Sequence, residues 1–245
     1  MMTRKSMLLT IAALFISSIA SAQTVLITGA NRGIGLELAR QYSAAGWHVI
    51  GTARAPAAAK DLIELDVQIV QLDVTDQDSV HRLANTLADQ SIDVLINNAG
   101  VLSRLQSIKD IDFDQFDRMM AVNTVGPIRV TQAVLANLQA GKTRKIINIS
   151  SVAGSITSKS SGGMYGYSES KAALNMFTRS LAGELRSDGF TCVVIHPGWV
   201  QTDMGGSSAA VTVQESAAGI RKVVENLTAA DSGEFWTFDG QHLPW

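Results

Sequence analysis

Nothing constrains this chain more than the turn Thr28-Gly29-Ala30-Asn31-Arg32-Gly33-Ile34-Gly35. It lies between a short β-rich apolar run, Thr24–Thr28, and a segment over 33–45 that reads as a helix with Ile34, Leu38 and Tyr42 on one stripe. Three glycines in eight residues permit a tight strand-to-helix turn in which a ligand can come up against main chain. The helix that starts there offers free N–H groups and its positive dipole end to an anion, and a pyrophosphate suits both. The spacing is TGxxxGxG, not the commoner GxGxxG. A glycine run alone marks only a strand–helix turn; its place after the first strand is what points to a nucleotide.

Beyond the turn, short apolar runs alternate with longer segments of helical period. Trp47–Thr52, Val67–Leu72, Ile92–Ile96, Lys145–Ile149, Phe190–Ile195 and Phe235–Phe238 read as strands. A helix capped by Thr75 or Asp76 is predicted to run to Asp89, and a long helical region to span Asp112 to Leu138 with a kink at Pro127. Further helices cover Tyr165–Arg186 and Glu215–Leu227, while residues 55–60, 155–163 and 205–210 read as loops by composition. The alternation predicts the α/β class: a single-domain, Rossmann-type, doubly wound parallel sheet with helices on both faces. A chain of 245 residues, 46% of them hydrophobic, suits one such domain. The ligand crevice then lies at the carboxyl ends of the strands.

The residues that follow each strand are therefore the ones to read. Strand two ends at Thr52-Ala53-Arg54, and no acid follows until Asp61. A site for NAD usually places an acid here to hold the ribose 2′-hydroxyl. Arg54 stands there instead, with Arg32 inside the glycine turn, and two guanidinium forks suit a 2′-phosphate. Away from such a turn both arginines would read as solvated surface; beside it they predict NADP(H) in preference to NAD(H). Strand four ends in Asn97-Asn98-Ala99-Gly100, small and amide residues that let main chain approach a ligand, or simply close a turn. Asn123 falls inside the long helical region, where an amide can disturb the ladder or bind water.

Strand five ends in Asn148-Ile149-Ser150-Ser151, and Tyr167 and Lys171 follow at i and i+4, one face of a helix. An ammonium beside a phenol favours the phenolate and pulls its pKa down from about 10. A phenol tuned in this way can give a proton to an alkoxide or take one from an alcohol. Ser151 is placed to hydrogen-bond a substrate oxygen. YxxxK alone is more often a surface pair, and the neighbouring Tyr165 has Glu169 at i+4, which opposes a phenolate. After strand six, Pro197 and Gly198 turn the chain over the crevice and Thr202 can bond an amide, while His196 reads as a structural histidine at a strand end. The small residues of 205–210 suggest an open or flexible lid.

Charge and cysteine usage narrow the classes. A net charge of −2 with no basic stripe excludes a nucleic-acid footprint. Cys192 is the single cysteine, so the chain has no internal disulfide and no CxxC zinc site, and no metal site is expected; its strand context makes it core. Residues 1–22 carry Arg4 and Lys5, an apolar stretch from Met7 to Ala20, and Ala20-Ser21-Ala22, the order of a cleaved secretory signal. Cleavage would leave Gln23 at the start of an exported, periplasmic domain over 23–245. The alternative is a retained extension that packs on the domain or anchors it to a membrane, or a cytoplasmic protein.

In order along the chain, TGANRGIG, NNAG, NISS, YSESK and HPGWVQT resemble the motif series of the short-chain dehydrogenase/reductase family, over essentially all of residues 24–245. Three further stretches resemble its C-factor-like branch, itself similar to Sniffer-type carbonyl reductases: the tail Gly233–Trp245, Gly154-Ser155-Ile156, and Lys171-Ala172-Ala173-Leu174-Asn175-Met176. The resemblance implies a catalytic tetrad of Asn123, Ser151, Tyr167 and Lys171. Lys171 would also hold the nicotinamide ribose, and Asn123 would position a proton-relay water. The implied cofactor site takes Gly29, Arg32, Gly33, Ile34 and Gly35 at the phosphates, Arg54 at the 2′-phosphate, and Asp73 at the adenine amino group with Val74 beside it. Asn98, Ala99 and Gly100 would pack along the cofactor, Tyr167 and Lys171 would meet its ribose end, and Pro197, Val200 and Thr202 would border the nicotinamide amide.

The gap from Ser151 to Tyr167 is longer than is usual in the family, which leaves Ser150 or Ser155 open as the catalytic serine. The implied activity is NADPH-dependent reduction of an aldehyde, ketone or quinone to an alcohol, or the reverse, by hydride transfer with Tyr167 as acid/base. The C-factor likeness and the leader-like segment also fit a signalling or cofactor-sensing protein that binds NAD(P) with little turnover. The resemblance also implies a homodimer or homotetramer formed through long helices, as is common in the family, and no residue here decides the number.

Overall fold

The computed structural model describes residues 22–103 and 107–245, so the leader-like segment lies outside the described residues but for Ala22. Seven strands form one parallel sheet: β1 (Thr24–Ile27), β2 (His48–Ala53), β3 (Gln68–Gln71), β4 (Val94–Asn97), β5 (Lys145–Ile149), β6 (Thr191–His196) and β7 (Phe235–Thr237). Their order is β3-β2-β1-β4-β5-β6-β7. Leu26 of β1 pairs with Ile50 of β2 on one side and Leu95 of β4 on the other, and Asn97 of β4 pairs with Asn148 of β5.

The helices are α1 (Gly33–Ala44), α2 (Lys60–Ile63), α3 (Gln77–Thr86), α4 (Phe113–Met120), α5 (Gly126–Ala133), α6 (Leu135–Ala140), α7 (Tyr167–Glu184) and α8 (Val213–Asn226). They bury both faces of the sheet. Val25, Ile27 and Ile147 join Leu38, Tyr42 and Ile220 in one core, whereas the alternate residues Leu26, Ile50 and Ile146 join Leu83, Val130 and Phe190 in the other. This two-sided burial is why the strands read as unbroken apolar runs and not as alternating ones. No helix among the described residues is long and apolar enough to cross a membrane.

The boundaries differ from expectation in four instructive places. Asp76, not Thr75, caps α3: its carboxylate accepts from Asp78 N at 3.0 Å, and the helix closes at Thr86 before reaching Asp89. The long region over 112–138 does not kink at Pro127. It opens into a π-helical turn over Ala121–Val125, and Pro127 sits in the first turn of α5, where its missing N–H costs nothing. A second break at Val134 separates α5 from α6. Residues 55–60, read as a loop, hold a 3₁₀ turn at Pro56–Ala58 and the start of α2, which buries Leu62.

The strand order reverses direction between β1 and β4, so the chains leaving them diverge and a crevice opens beyond their carboxyl ends.

Candidate active site

A cavity of about 530 Å³ occupies that crevice. Its wall includes Gly29, Arg32, Gly33 and Ile34 of the glycine turn, Arg54, Asp73, Val74, Asn98, Ala99, Gly100, Tyr167, Lys171, Pro197 and Thr202. Gly35, Asn123, Ser151 and Val200 are not part of the wall, and each is accounted for by what it touches.

At one end the turn is shaped by main chain. A Cβ on Gly35 would collide with the Gly29 carbonyl oxygen and come within 2.5 Å of Asn98 Nδ2, so no side chain fits there. Asn98 Nδ2 holds the turn by donating to Thr28 O at 3.0 Å and Gly29 O at 3.2 Å. Gly33 has φ +55°, a conformation side chains rarely adopt, and leaves space beneath Thr202. Arg32 is the N-cap of α1, and no side chain caps the helix's first turn. Its first amides are therefore without side-chain partners, the arrangement that receives an anion.

Three guanidinium groups border this end. Arg32 pairs with Asp203 at 2.7 Å, both side chains well exposed. Arg54 is exposed at the end of β2, and Arg118 projects from α4 into the same wall. Asp73 lies among them. Burial acts to raise its pKa, but hydrogen bonds from Thr75 Oγ1 (2.7 Å) and Thr75 N (2.9 Å), with the charges of Arg54 and Arg118, hold the carboxyl below its usual range. Both bonds fall on Oδ1. No local pattern marks Arg118, a charged residue on an exposed stretch of α4.

At the other end the wall is made of buried side chains. Tyr167 is the first residue of α7, whose start is closed by Glu169 accepting from Gly166 N at 2.6 Å. That bond explains the neighbouring pair: the Glu169 carboxylate, which set Tyr165 apart as a decoy, is a helix cap. Lys171 lies one turn on, buried, its Nζ donating to Ile149 O at 2.9 Å and standing 5.8 Å from the Tyr167 ring centroid. The electrostatics correct the simple reading of this pair. Burial pushes the Tyr167 phenol above its ordinary value, a hydrogen bond with Ser151 opposes that rise, and burial brings Lys171 down to about 8. Desolvation, a tertiary property, outweighs the charge effect that spacing alone suggests.

The three serines separate cleanly. Ser150 Oγ is buried and donates to Asn175 Oδ1 at 2.7 Å, and Ser155 Oγ is buried and donates to Pro244 O at 2.7 Å. Ser151 Oγ accepts from Ala153 N at 3.1 Å and leaves its proton unspent, on the side from which it opposes the rise in the Tyr167 pKa, whereas Ser150 is the serine that lines the cavity wall. Asn123, fully buried in the π-helical turn, accepts from Val101 N at 2.8 Å and donates to Val101 O at 2.9 Å and Ser170 Oγ at 3.0 Å. Both its amide hydrogens are committed, so no N–H of this side chain is left to position a water. It works as a staple between the chain after β4 and the first turn of α7, where Ser170 Oγ in turn donates to Tyr167 O at 2.8 Å.

Val200 is buried and bridges Val211, which ties together the ends of the segment 201–210. Within it Gln201 Nε2 donates to Ala209 O at 3.0 Å, Gly205 N to Thr202 Oγ1 at 3.2 Å and Gly206 N to Thr202 O at 2.8 Å. The expected open lid is a laced loop, and the Thr202 hydroxyl is engaged inside it. His196 stands outside the wall, its pKa lowered by burial against the opposing charge of Asp239. Cys192 is core, with burial pushing its thiol up to about 12.

Comparison with known proteins agrees with this architecture. Residues 23–212 match the family model for short chain dehydrogenases. The carbonyl reductase from chicken fatty liver, solved with NADPH bound, superposes with a TM-score of 0.86 at 37% identity, over 91% of this chain and 99% of that one. The carbonyl reductase Sniffer of D. melanogaster gives 0.85 at 35% identity, over 91% of this chain and all of that one. C-signal of Myxococcus xanthus is 41% identical over 162 residues, 66% of this chain and 98% of its own length.

Proposed function

This chain belongs to the short-chain dehydrogenase/reductase family, and from that premise we propose that it is an NADPH-dependent carbonyl reductase with Tyr167 as its acid/base. The observation that carries the reading is the cavity itself: an uncapped glycine turn at one end, and a buried phenol with an enclosed lysine beside it at the other. The residues present fit a dinucleotide. No Cβ blocks the turn, the first amides of α1 are free of side-chain caps, and three guanidinium groups border the place where a 2′-phosphate would lie.

Bound there, NADPH supplies the hydride. The chain's own residues do the rest. The α1 amides and Arg32 hold the pyrophosphate, Arg54 and Arg118 favour a 2′-phosphate, and Asp73 offers its Oδ2 to an adenine amino group. Ser151 donates to the carbonyl oxygen and fixes its position. Tyr167, kept protonated by burial, delivers its phenolic proton to that oxygen as negative charge develops. Lys171, held by Ile149 O, offers its remaining hydrogens to the ribose and stands ready to stabilise the phenolate left behind. In the reverse direction the same groups take the proton from an alcohol.

The test is NADPH oxidation by the purified protein against a panel of aldehydes, ketones and quinones, 4-nitrobenzaldehyde among them. Carbonyl-dependent oxidation, faster with NADPH than with NADH, supports the proposal. Tight NADPH binding with no oxidation across the panel favours a second reading, a signalling or cofactor-sensing protein, which the likeness to C-signal over two-thirds of the chain supports. The proposal includes export of a domain over 23–245 after cleavage at Ala22, checked by N-terminal sequencing from cell fractions: a chain starting at Gln23 supports it and one starting at Met1 contradicts it. It also includes a homodimer or homotetramer, which light scattering on the eluting protein decides against a monomer.

A further inference from the structure

The three stretches that set this chain's branch apart in sequence meet at one place in space, around Ser151. The serine opens a 3₁₀ turn over Val152–Gly154, accepting from Ala153 N through its own Oγ at 3.1 Å. Asn175, buried on the inner face of α7, reaches both sides of that turn. Its Oδ1 accepts from Ser150 Oγ at 2.7 Å, and its Nδ2 donates to Gly154 O at 3.1 Å. Gly154 packs so close to α7 that a Cβ there would come within 2.7 Å of the Lys171 main chain.

The next residues are held from the opposite side. Ser155 Oγ, fully buried, donates to Pro244 O at 2.7 Å, and Thr157 N donates to Trp245 O at 2.8 Å. The tail that supplies those acceptors is itself fixed. Leu243 N donates to Phe235 O at 2.8 Å, and the Trp245 ring lies 5.5 Å from that of Phe235 and 5.3 Å from the Arg179 guanidinium. Tail, turn and helix thus form one hydrogen-bonded unit in which Ser150 and Ser155 donate their hydroxyl protons to the unit, while Ser151 only accepts within it, from Ala153 N.

We propose that Asn175 and the tail residues Pro244 and Trp245 are positioning residues that brace the Ser151 turn, Asn175 from inside the fold and the tail from outside. The proposal rests on the reading of Ser151 as the group that hydrogen-bonds the substrate oxygen. The brace touches neither substrate nor cofactor; it fixes where the Ser151 hydroxyl stands relative to Tyr167. A serine that must sit within hydrogen-bond reach of both a carbonyl oxygen and a phenol gains from such a frame, because small displacements at a reacting centre are costly in rate.

A double-mutant cycle tests this, with the best carbonyl of the panel as probe and NADPH affinity measured separately by fluorescence titration. Asn175→Ala is expected to lower kcat about tenfold while leaving the Kd for NADPH unchanged. In a Ser151→Ala background the same substitution is expected to cost nothing further. Asn175→Ala should also move the alkaline limb of the kcat/KM profile upward, since the Ser151 bond is what opposes the rise in the Tyr167 pKa. Equal losses in both backgrounds, or a parallel loss of NADPH affinity, would overturn the brace. If Asn175→Ala does not fold, Trp245→Ala is read in the same cycle against the same two outcomes, with Trp245→Phe expected to restore the rate. Should Ser151→Ala alone leave kcat intact, it is the role of Ser151 that fails, and the two failures are thereby distinguished.

Discussion

At the glycine turn the cavity is walled by main chain and by exposed guanidinium groups; at Tyr167 it is walled by side chains taken out of water. The Arg32–Asp203 pair is exposed on both sides, whereas Asn123 is wholly buried and Lys171 nearly so. At the first end geometry does the selecting: a Cβ more or less decides whether a pyrophosphate can approach, and charges act through solvent. At the second, desolvation sets the protonation states, and every polar atom needs a partner. The same cavity should therefore respond very differently to substitution at its two ends.

The largest difference between the two ends is expected at Gly35. Gly35→Ala places a methyl group against the Gly29 carbonyl and Asn98, so the turn must shift. Affinity for NADPH should fall about a hundredfold by fluorescence titration, with the Tyr167 end unaffected in its pH behaviour. A variant that binds NADPH normally would show that main-chain shape does not govern this end.

At the buried end the corresponding probe is pH. Lys171 falls from 10.5 to about 8 on folding, so between those values the unfolded chain binds the extra proton. Stability then rises with pH from about 8 towards 10.5 and is lost as pH falls back through 8. Lys171→Met removes that dependence. Unfolding free energies of the two proteins from urea titration should diverge across this window by up to ~3 kcal/mol, with any cost of leaving Ile149 O unpaired appearing as a constant offset. Parallel curves would contradict the burial account.

Smaller effects sharpen the contrast. Arg54→Asp is expected to reverse the preference between NADPH and NADH, lowering NADPH affinity about tenfold, with less loss at high salt; an unchanged ratio of kcat/KM values would remove Arg54 from the site. Asp203→Ala should do least. An exposed pair contributes little, so stability and NADPH affinity should change by less than about fivefold in a thermal and a fluorescence assay.

What the sequence made legible follows the same division. The glycine turn, the seven strands and the Tyr167–Lys171 pair rest on main-chain geometry and on i, i+4 spacing, which act over a few residues and leave a pattern behind. The separate partners of Ser150 and Ser155, the engaged amide of Asn123 and the raised Tyr167 pKa depend on contacts between distant segments. Ser155 meets Pro244 across 89 residues, and Asn123 meets Ser170 across 47. Nothing in the local pattern of either partner announces the other. The laced loop over 201–210 has a related cause: small residues suggest freedom, while the Val200–Val211 bridge that closes the loop joins two residues eleven apart with no local pattern to pair them.

The most direct test of the account separates binding from chemistry in one protein. Tyr167→Phe keeps the ring and its packing and removes only the hydroxyl. NADPH should bind it with the affinity of the unaltered protein, while the rate of carbonyl-dependent NADPH oxidation, followed in a stopped-flow absorbance experiment, falls by about 10³-fold or more. A variant that oxidises NADPH at close to the normal rate would contradict the assignment of Tyr167 and the function built on it.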